Sequence, residues 1–405
     1  MRYIFGDSVL LRLWLAQMVS EFGDLVFFTA LVVELYNRTE SGLVLGVESA
    51  IRNGALIVVS VLAGPLVDRW RRRPVLYGAD LVRGALLILP LMYPSIPVFI
   101  ATSSLVVIAS RFFAPARLAW IPSLVPDDRL RVVNGIFSVT TETIGVIGAL
   151  AGGLLAAVLG FRGAILIDIA TFFVSAVLIV SIPSSRDVVP EASTPTPYWA
   201  GLLDGFRYTY TRPVLKTLLS SFLVGAFAAG LIAPMTIVYV ERGLRLGATG
   251  YGTLLAAMAI GGILSAVLLS RLKLTVAQLL VWVGYFATGV TLVLIGFVPG
   301  AAVSILLFVA LGTFQNLQEA TAITFFQQQI PGSMLGRFFG ILNATTTPFF
   351  IGGMLTVGVV SERSSVGLIY LSAGALFVIG GAVLQLSPHF RSILIGKVPM
   401  QGDNY

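Results

Sequence analysis

The chain has 405 residues, of which 57% are apolar and only 11% are charged, whereas average globular domains carry about 25% charged residues. So few charges do not cover the surface of a soluble protein of this length, and we therefore expect lipid to surround most of the chain. The sequence has no cysteine and one histidine, which excludes iron–sulfur clusters, thiolate zinc sites and bis-histidine haem. We expect no metal site and no cofactor.

Twelve apolar stretches long enough to cross a bilayer follow one another along the chain, separated by short polar or Pro/Gly breaks. The first six lie at residues 9–36, 41–67, 75–93, 97–116, 132–159 and 163–182. The second six lie at residues 214–240, 249–270, 276–297, 301–325, 337–359 and 365–386. We therefore predict an all-α membrane protein with twelve transmembrane helices.

The two sets of spans resemble copies of one six-helix half. Pro126 and Pro331 follow the fourth and the tenth span at a spacing of 205 residues, and Gly135 and Gly340 repeat that spacing. The predicted parts are an N-terminal half, a cytoplasmic linker with an interfacial helix, a C-terminal half and a cytoplasmic tail, at residues 1–182, 183–213, 214–386 and 387–405. Two such halves are the organisation of parallel-repeat transporters, whose substrate site lies near the bilayer midplane between them.

The basic residues predict the orientation in the membrane. Of the 26 basic residues, 18 lie on the side of the N-terminus, 5 on the opposite side and 3 within spans. Because cytoplasmic loops carry the excess of Lys and Arg, both termini are predicted to be cytoplasmic. We expect a multi-pass protein of a prokaryotic cytoplasmic (inner) membrane. The net charge of +7 follows from this topology, so no nucleic-acid partner is needed to explain it.

Several stretches resemble a known family. "GPLVDRWRRRPV" at residues 64–75 resembles the signature loop between spans two and three of the major facilitator superfamily. "GALAGG" at 148–153 is similar to the glycine-rich motif of drug:proton antiporters, with Ala149 where that motif usually has Pro. "RLWLAQMVSEFGD" at 12–24 and "FFAPARLAWIPSLVP" at 112–126 resemble the branch that holds macrolide-efflux and enterobactin-exporter-like proteins.

The resemblance implies the major facilitator fold and roles for particular residues. In that family a network at the loop after span two latches one conformation, and the matching residues here are Asp68, Arg69, Arg73, Asp80 and Arg83. Arg111 stands where drug:proton antiporters carry a buried arginine linked to proton coupling. We expect the chain to act as a monomer.

Ionisable residues within spans are costly and usually functional, and they are concentrated in the first half. They are Glu21, Asp24, Glu48, Arg52, Asp80, Arg83, Arg111, Glu142 and Asp168 in the first half and Glu319 in the second. Glu48 with Arg52, and Asp80 with Arg83, have the spacing of local helical pairs. The remaining carboxylates then share one unpaired cation, Arg111.

A carboxylate in this setting is poised to bind a proton. Burying it costs ~2.5–3.5 kcal/mol on the insertion scale, and protonating a glutamate at pH 7 costs about 3.7 kcal/mol. We therefore predict proton or cation coupling at Asp24, Glu142, Arg111 and Glu21. Asp168 is predicted to lie near the outer end of its span with a structural role.

The residues expected to border a substrate cavity lie in both halves. Gln315, Gln318 and Glu319 share one face of the tenth span, and Glu48 and Arg52 lie on the second. An apolar pocket could be lined by Phe27, Phe28, Trp282, Tyr285 and Phe286, although aromatic residues at such spacing more often lie in the core or face lipid.

These observations favour a secondary active transporter, not an enzyme. It would export an amphipathic small molecule (a drug, macrolide or siderophore-like compound) by alternating access, with the proton gradient as its energy source and with protons and membrane lipids as partners. One alternative is a lysolipid or lipid-linked substrate transporter, or a proton-independent facilitated carrier, which Ala149 and the apolar second half favour. A membrane scaffold or sensor is the third hypothesis, and the charges within spans argue against it.

Overall fold

The computed structural model describes residues 6–67, 70–184, 206–207, 209–271, 277–297, 300–330 and 332–388, and these residues form helices and no strand. The first sequence half forms α1 (Ser8–Thr39), α2 (Gly42–Val67), α3 (Arg72–Leu86), α4 (Ile88–Met92), α5 (Ile96–Leu124) and α6 (Asp127–Val180). The second half forms α7 (Pro213–Ile232), α8 (Met235–Val238), α9 (Gly247–Arg271), α10 (Ala277–Gly296), α11 (Ala301–Gln329), α12 (Gly332–Val360) and α13 (Val366–Leu386). A π-helical turn, Tyr239–Leu244, follows α8.

All twelve predicted spans correspond to these helices. The third span is formed by α3 and α4 together, and α6 contains both the fifth and the sixth. Within α6 the helical geometry is interrupted at Gly160, whose φ of 65° and ψ of −175° fall where side-chain-bearing residues are rarely found. The predicted fold class, an all-α membrane protein with twelve transmembrane helices, is confirmed.

Nine segments of the described chain are long and apolar enough to cross a membrane, and one of them, Val132–Val180, holds two spans. α1 and α2 are not among the nine. α1 carries Glu21 and Asp24 near its centre, where carboxylates lower the hydropathy of the helix. The chain is a multi-pass membrane protein with acidic groups at the centre of its first helix.

The chain forms two compact units. Unit 1 comprises Met1–Glu40, Ile51–Pro195 and Leu246–Ala256, and unit 2 comprises Ser41–Ala50, Thr196–Arg245 and Ala257–Tyr405. Short segments of α2 and α9 thus belong to the unit formed mainly by the other sequence half. The predicted part boundaries at 182, 213 and 386 stay predictions. Most of the predicted interfacial helix and the tail from 389 onward lie outside the described residues.

The core of unit 1 joins α1, α3, α5 and α6. Its buried apolar side chains include Leu13 of α1, Leu76 of α3, Trp120 of α5 and Phe137 of α6. Trp14 Nε1 donates a hydrogen bond of 2.8 Å to Thr140 Oγ1, so a buried polar contact joins α1 to α6 beside the apolar core. These helices fix the positions of the charged residues described below.

Small residues let α6 approach α9 closely within unit 1. A Cβ placed on Gly153 would lie 2.7 Å from the carbonyl oxygen of Ala248 and 2.9 Å from Cα of Gly252. A Cβ on Gly252 would in turn lie 2.5 Å from the carbonyl oxygen of Ala149. Gly153 and Gly252 thus permit close packing of the two helices.

Aromatic rings contact one another in the core of unit 2. Tyr239 lies 5.1 Å from Tyr370 and 5.9 Å from Phe308, measured between ring centroids. Phe326 of α11 lies 4.6 Å from Phe338 of α12. Ring contacts thus join α11, α12, α13 and the π-helical turn in the interior of unit 2.

Candidate functional site

Four charged residues of unit 1 meet between α1, α3 and α6, and we call them the Arg83 cluster: Asp24, Asp80, Arg83 and Asp168. Arg83 Nη1 donates to Asp24 Oδ2 at 3.0 Å, and Arg83 Nη2 donates to Asp80 Oδ1. Ser175 Oγ donates to Asp80 Oδ2 at 2.6 Å. One guanidinium therefore bridges two carboxylates that come from different helices.

Hydroxyl and aromatic groups complete the surroundings of Arg83. Its Nη2 also donates to Ser20 Oγ at 3.1 Å and its Nη1 to Ser110 Oγ at 3.4 Å. The guanidinium carbon lies 4.3 Å from the ring centre of Phe172 and 5.3 Å from that of Phe113. The Arg83 side chain is 3% exposed and both of its terminal nitrogens have partners that suit a cation, whereas its Nε has no hydrogen-bond partner among the described residues.

Asp168 is the third carboxylate of the cluster, and half of it is unsatisfied. The residue is fully buried, and Asp24, Asp80 and Arg83 all act on it electrostatically. Its Oδ1 accepts a hydrogen bond from Thr171 Oγ1 at 3.1 Å, whereas Oδ2 has no partner among the described residues. A Cβ on Gly23 would lie 2.3 Å from Asp168 Oδ1, so the glycine beside Asp24 makes room for this carboxylate.

The charges of the Arg83 cluster do not balance. Three ionised carboxylates around one guanidinium would leave a net charge of −2 inside a membrane protein, where each unpaired charge costs ~2.5–3.5 kcal/mol. Binding one proton would halve that excess. Asp24 is 22% exposed while Asp80 is fully buried, so Asp24 is the more exposed of the two carboxylates, and its Oδ1 is buried without a hydrogen-bond partner among the described residues.

The structure changes the expected pairing of Asp24. The predicted local pair of Asp80 with Arg83 is present, but Arg83 also binds Asp24, 59 residues away. The expectation that Asp24 shares Arg111 is therefore wrong. Arg111 of α5 and Glu142 of α6 are both exposed, and no ion pair of either is found in the described part of the chain. Their roles in coupling stay predictions.

Glu21 lies one turn before the cluster and has its own partners. Gln17 Nε2 donates to Glu21 Oε1 at 2.8 Å, and Thr141 Oγ1 donates to Glu21 Oε2 at 3.0 Å. Arg117 acts on Glu21 electrostatically.

The residues assigned to the conformational latch separate into two groups. Asp80 and Arg83 belong to the Arg83 cluster, whereas Arg73 donates to the carbonyl oxygens of Ile179 (3.4 Å) and Val180 at the end of α6. Arg12 donates to the next carbonyl oxygen, that of Ser181. Asp68 and Arg69 lie outside the described residues, so the latch itself stays a prediction.

Unit 2 contains a cavity of about 690 Å³ between α7, α10, α11, α12 and α13. Gln315, Gln318 and Glu319 of α11 all line it, together with Tyr285 of α10 and Phe377 of α13. Gln318 Oε1 and the Tyr285 hydroxyl are buried and have no hydrogen-bond partner among the described residues. The cavity therefore combines aromatic walls with unsatisfied polar atoms, which suits an amphipathic molecule.

The other two residues predicted for the substrate cavity do not line this one. Glu48 is buried on the part of α2 that belongs to unit 2 and accepts a hydrogen bond of 3.3 Å from Ser49 Oγ. Arg52 lies in unit 1 with its guanidinium carbon 5.3 Å from the ring centre of Phe28. Of the other predicted aromatic residues, Phe27 is fully buried and Phe286 is exposed.

Known proteins match both the sequence and the fold. The profile of the Major Facilitator Superfamily matches residues 13–353. Macrolide efflux protein A of Streptococcus pyogenes is 24% identical over 407 residues, covering 94% of this chain and 96% of that protein. Enterobactin exporter EntS of Escherichia coli O1:K1 is 26% identical over 393 residues, covering 93% and 91%. A crystal structure of a POT family transporter in complex with a thioalcohol-conjugated peptide superposes with a TM-score of 0.75 at 13% identity, covering 93% and 95%.

The multi-pass helical fold and the family profile together define a membrane transporter. The chain belongs to the major facilitator superfamily, and it is a transporter of a small molecule, not an enzyme. The resemblance to the macrolide-efflux and enterobactin-exporter branch is confirmed by these relatives.

Proposed function

We propose that this transporter exports an amphipathic small molecule in exchange for protons, and that the Arg83 cluster carries the exchanged proton. The observation that supports this most strongly is the excess of carboxylates over guanidinium in the Arg83 cluster, where Asp168 Oδ2 has no partner within the part of the chain that the structure describes. A scaffold would gain nothing from such an arrangement, whereas a coupled transporter needs a group whose charge state changes.

The proton would enter at Asp24. Protonation removes the charge of that carboxylate and weakens its bond to Arg83, which keeps its second bond to Asp80. Because Asp24 lies on α1 and Arg83 on α3, this step changes the contact between two helices. A local protonation would thus be converted into a change of packing in unit 1, which alternating access requires.

The substrate would bind the cavity of unit 2, with Gln315, Gln318 and Glu319 as its polar contacts. The relatives named for macrolide efflux and enterobactin export support a bulky molecule with both apolar and polar faces. An aromatic wall beside amide groups suits this chemistry, and Glu319 would add affinity for cationic compounds. We further propose an inner-membrane location with both termini cytoplasmic, from the distribution of basic residues.

The test is substrate-driven proton flux into liposomes that contain the purified chain, with a macrolide, a catecholate siderophore and a lipophilic cation as probes. Wild type, Asp24→Asn, Asp168→Asn and Glu142→Gln would be compared. Glu34→Gln is the matched control, because Glu34 pairs with Arg38 at 2.6 Å on the same helix as Asp24 but outside the cluster.

We expect at least one probe to drive proton flux in wild type and in the control, and we expect Asp24→Asn to abolish it. Loss of proton flux in Glu142→Gln alone would assign the coupling to Glu142 and not to the Arg83 cluster. Probe movement without proton flux, unchanged in every variant, would contradict antiport and favour a proton-independent carrier or a transporter of lipid-linked substrates.

A further inference from the structure

Unit 1 has an apolar groove of about 820 Å³ on its surface between α3 and α5, apart from the Arg83 cluster. Val75, Ala79 and Val82 of α3 form one wall, and Leu105, Ile108 and Phe112 of α5 form the other. Val82 and Leu105 are exposed large apolar side chains, so the groove opens to the surroundings of the protein. In a membrane these surroundings are lipid.

One end of the groove is polar and positively charged. Trp70 and Arg71 line this end, and the Trp70 ring stacks on that of Phe112 with centroids 6.4 Å apart. Both residues are exposed. Tryptophan favours the level of the lipid headgroups, so the Trp70 end of the groove is expected at the membrane interface.

Arg71 differs from the two arginines that follow it. Arg72 is buried, and Arg73 is bound to the carbonyl groups at the end of α6. Arg71 is exposed at the N-cap of α3, and no hydrogen bond or ion pair of its side chain is found in the described part of the chain. Its guanidinium is therefore available for an anion at the mouth of an apolar groove.

The length of the groove matches one leaflet. The residues from Pro74 to Leu86 rise about 18 Å along the helix axis, close to half of the roughly 30 Å hydrocarbon core of a bilayer. The Arg71 end lies on the side that the basic residues predict to be cytoplasmic.

We propose that this groove binds one anionic phospholipid of the inner leaflet, with an acyl chain between α3 and α5 and the phosphate on Arg71. The apolar residues of α3 and α5 would contact one acyl chain along its length. The Arg71 end of the groove provides a cation and an interfacial tryptophan. The groove is formed by α3, the helix that also carries Asp80 and Arg83, so the bound lipid would contact the helix at the centre of the Arg83 cluster.

The experiment measures quenching of Trp70 fluorescence in liposomes that contain the full chain. The Trp70 signal is the difference between wild type and Trp70→Phe. Brominated phosphatidylglycerol in a phosphatidylcholine background is compared with brominated phosphatidylcholine in the same background at equal mole fraction. We expect the anionic lipid to quench with about fivefold higher apparent affinity, the ratio that one basic side chain near an anionic lipid supplies.

Variants separate charge from shape. Arg71→Gln should remove the preference for the anionic lipid, and Arg71→Lys should retain it. Arg271 is an exposed arginine at the end of α9, and Arg271→Gln should leave the preference unchanged. Gly78→Leu should fill the groove and reduce quenching by both lipids, because a Cβ there meets open space and the fold is not disturbed. Gly135→Leu, also in open space, is its control.

Equal quenching by the two lipids, unaffected by Arg71→Gln and Gly78→Leu, would overturn the proposal, because the groove would then hold only bulk lipid. Relief of quenching by a macrolide in place of anionic lipid would also overturn it and would assign the groove to the transported substrate. Neither the quenching by the two lipids nor its relief by a macrolide depends on proton flux. The proposed lipid site can therefore fail while the proposed antiport holds, and the reverse.

Discussion

Unit 1 buries three carboxylates around one guanidinium, whereas the cavity of unit 2 is lined by aromatic rings, amide groups and one carboxylate. In unit 1 Arg83 bonds to Asp24 of α1 and Asp80 of α3, whereas Asp168 Oδ2 of α6 has no hydrogen-bond partner among the described residues. In unit 2 Gln318 and Tyr285 line the cavity, and Gln318 Oε1 and the Tyr285 hydroxyl are buried without a partner in the described part of the chain. The proposed division of roles follows the difference in charge, with proton binding assigned to unit 1 and ligand binding to unit 2.

Removal of Arg83 should destabilise the protein more than any of the substitutions that follow. Arg83→Met leaves Asp24, Asp80 and Asp168 without their shared cation, and removing one partner of a buried pair typically costs about 3–5 kcal/mol. We expect a strong loss of thermal stability, measured by intrinsic fluorescence in detergent. Arg38→Met removes a partly exposed pair and should cost no more than about 1 kcal/mol.

A triple variant shows whether that loss of stability comes from charge. Adding Asp24→Asn and Asp80→Asn to Arg83→Met neutralises two of the orphaned carboxylates, so part of the stability should return. Equal melting temperatures for the single and the triple variant would contradict a cluster held together by electrostatics.

The next effect concerns packing within unit 1. Gly153→Val places side-chain atoms against the backbone of Ala248 and Gly252, which cannot move aside as a side chain would. Overpacking of this kind typically costs about 1–3 kcal/mol. We expect a lower melting temperature, with Gly135→Val, whose Cβ meets open space, close to wild type. Equal stability of the two variants would mean that α6 and α9 are not closely packed in solution.

Removal of a buried tyrosine hydroxyl group in unit 2 should change stability least. Tyr285→Phe removes a buried hydroxyl that has no described partner, so stability should stay equal or rise by up to about 1 kcal/mol. Tyr239→Phe removes a hydroxyl bonded to Ser304 at 2.7 Å and should cost about 1 kcal/mol. Weaker binding of a transported substrate by Tyr285→Phe, at unchanged stability, would show that the hydroxyl serves the ligand. A destabilised Tyr285→Phe would show that it has a structural partner.

The spans were predictable because each is decided by a long apolar stretch. The predicted stretches at 249–270 and 365–386 differ from α9 and α13 by two residues or fewer at each end. The break between the fifth and sixth spans was also predicted, and it lies at Gly160. The pair of Asp80 and Arg83 followed from helical spacing alone.

Contacts between helices were not predictable in the same way. The bond of Asp24 to Arg83 and the place of Asp168 in the cluster depend on how α1, α3 and α6 are rotated against one another. A hydropathy pattern carries no such information. The sequence did contain one indication of this contact, namely Gly23. A residue without a side chain next to Asp24 permits the close approach of another helix.

Proton release on substrate binding tests the role of the Arg83 cluster most directly. It is measured with a pH-sensitive dye in weakly buffered detergent solution. Antiport through the Arg83 cluster predicts that a bound substrate displaces about one proton from wild type and from Glu34→Gln, and none from Asp24→Asn. Full release from both Asp24→Asn and Asp168→Asn would show that the exchanged proton lies elsewhere and would contradict the role assigned to the cluster.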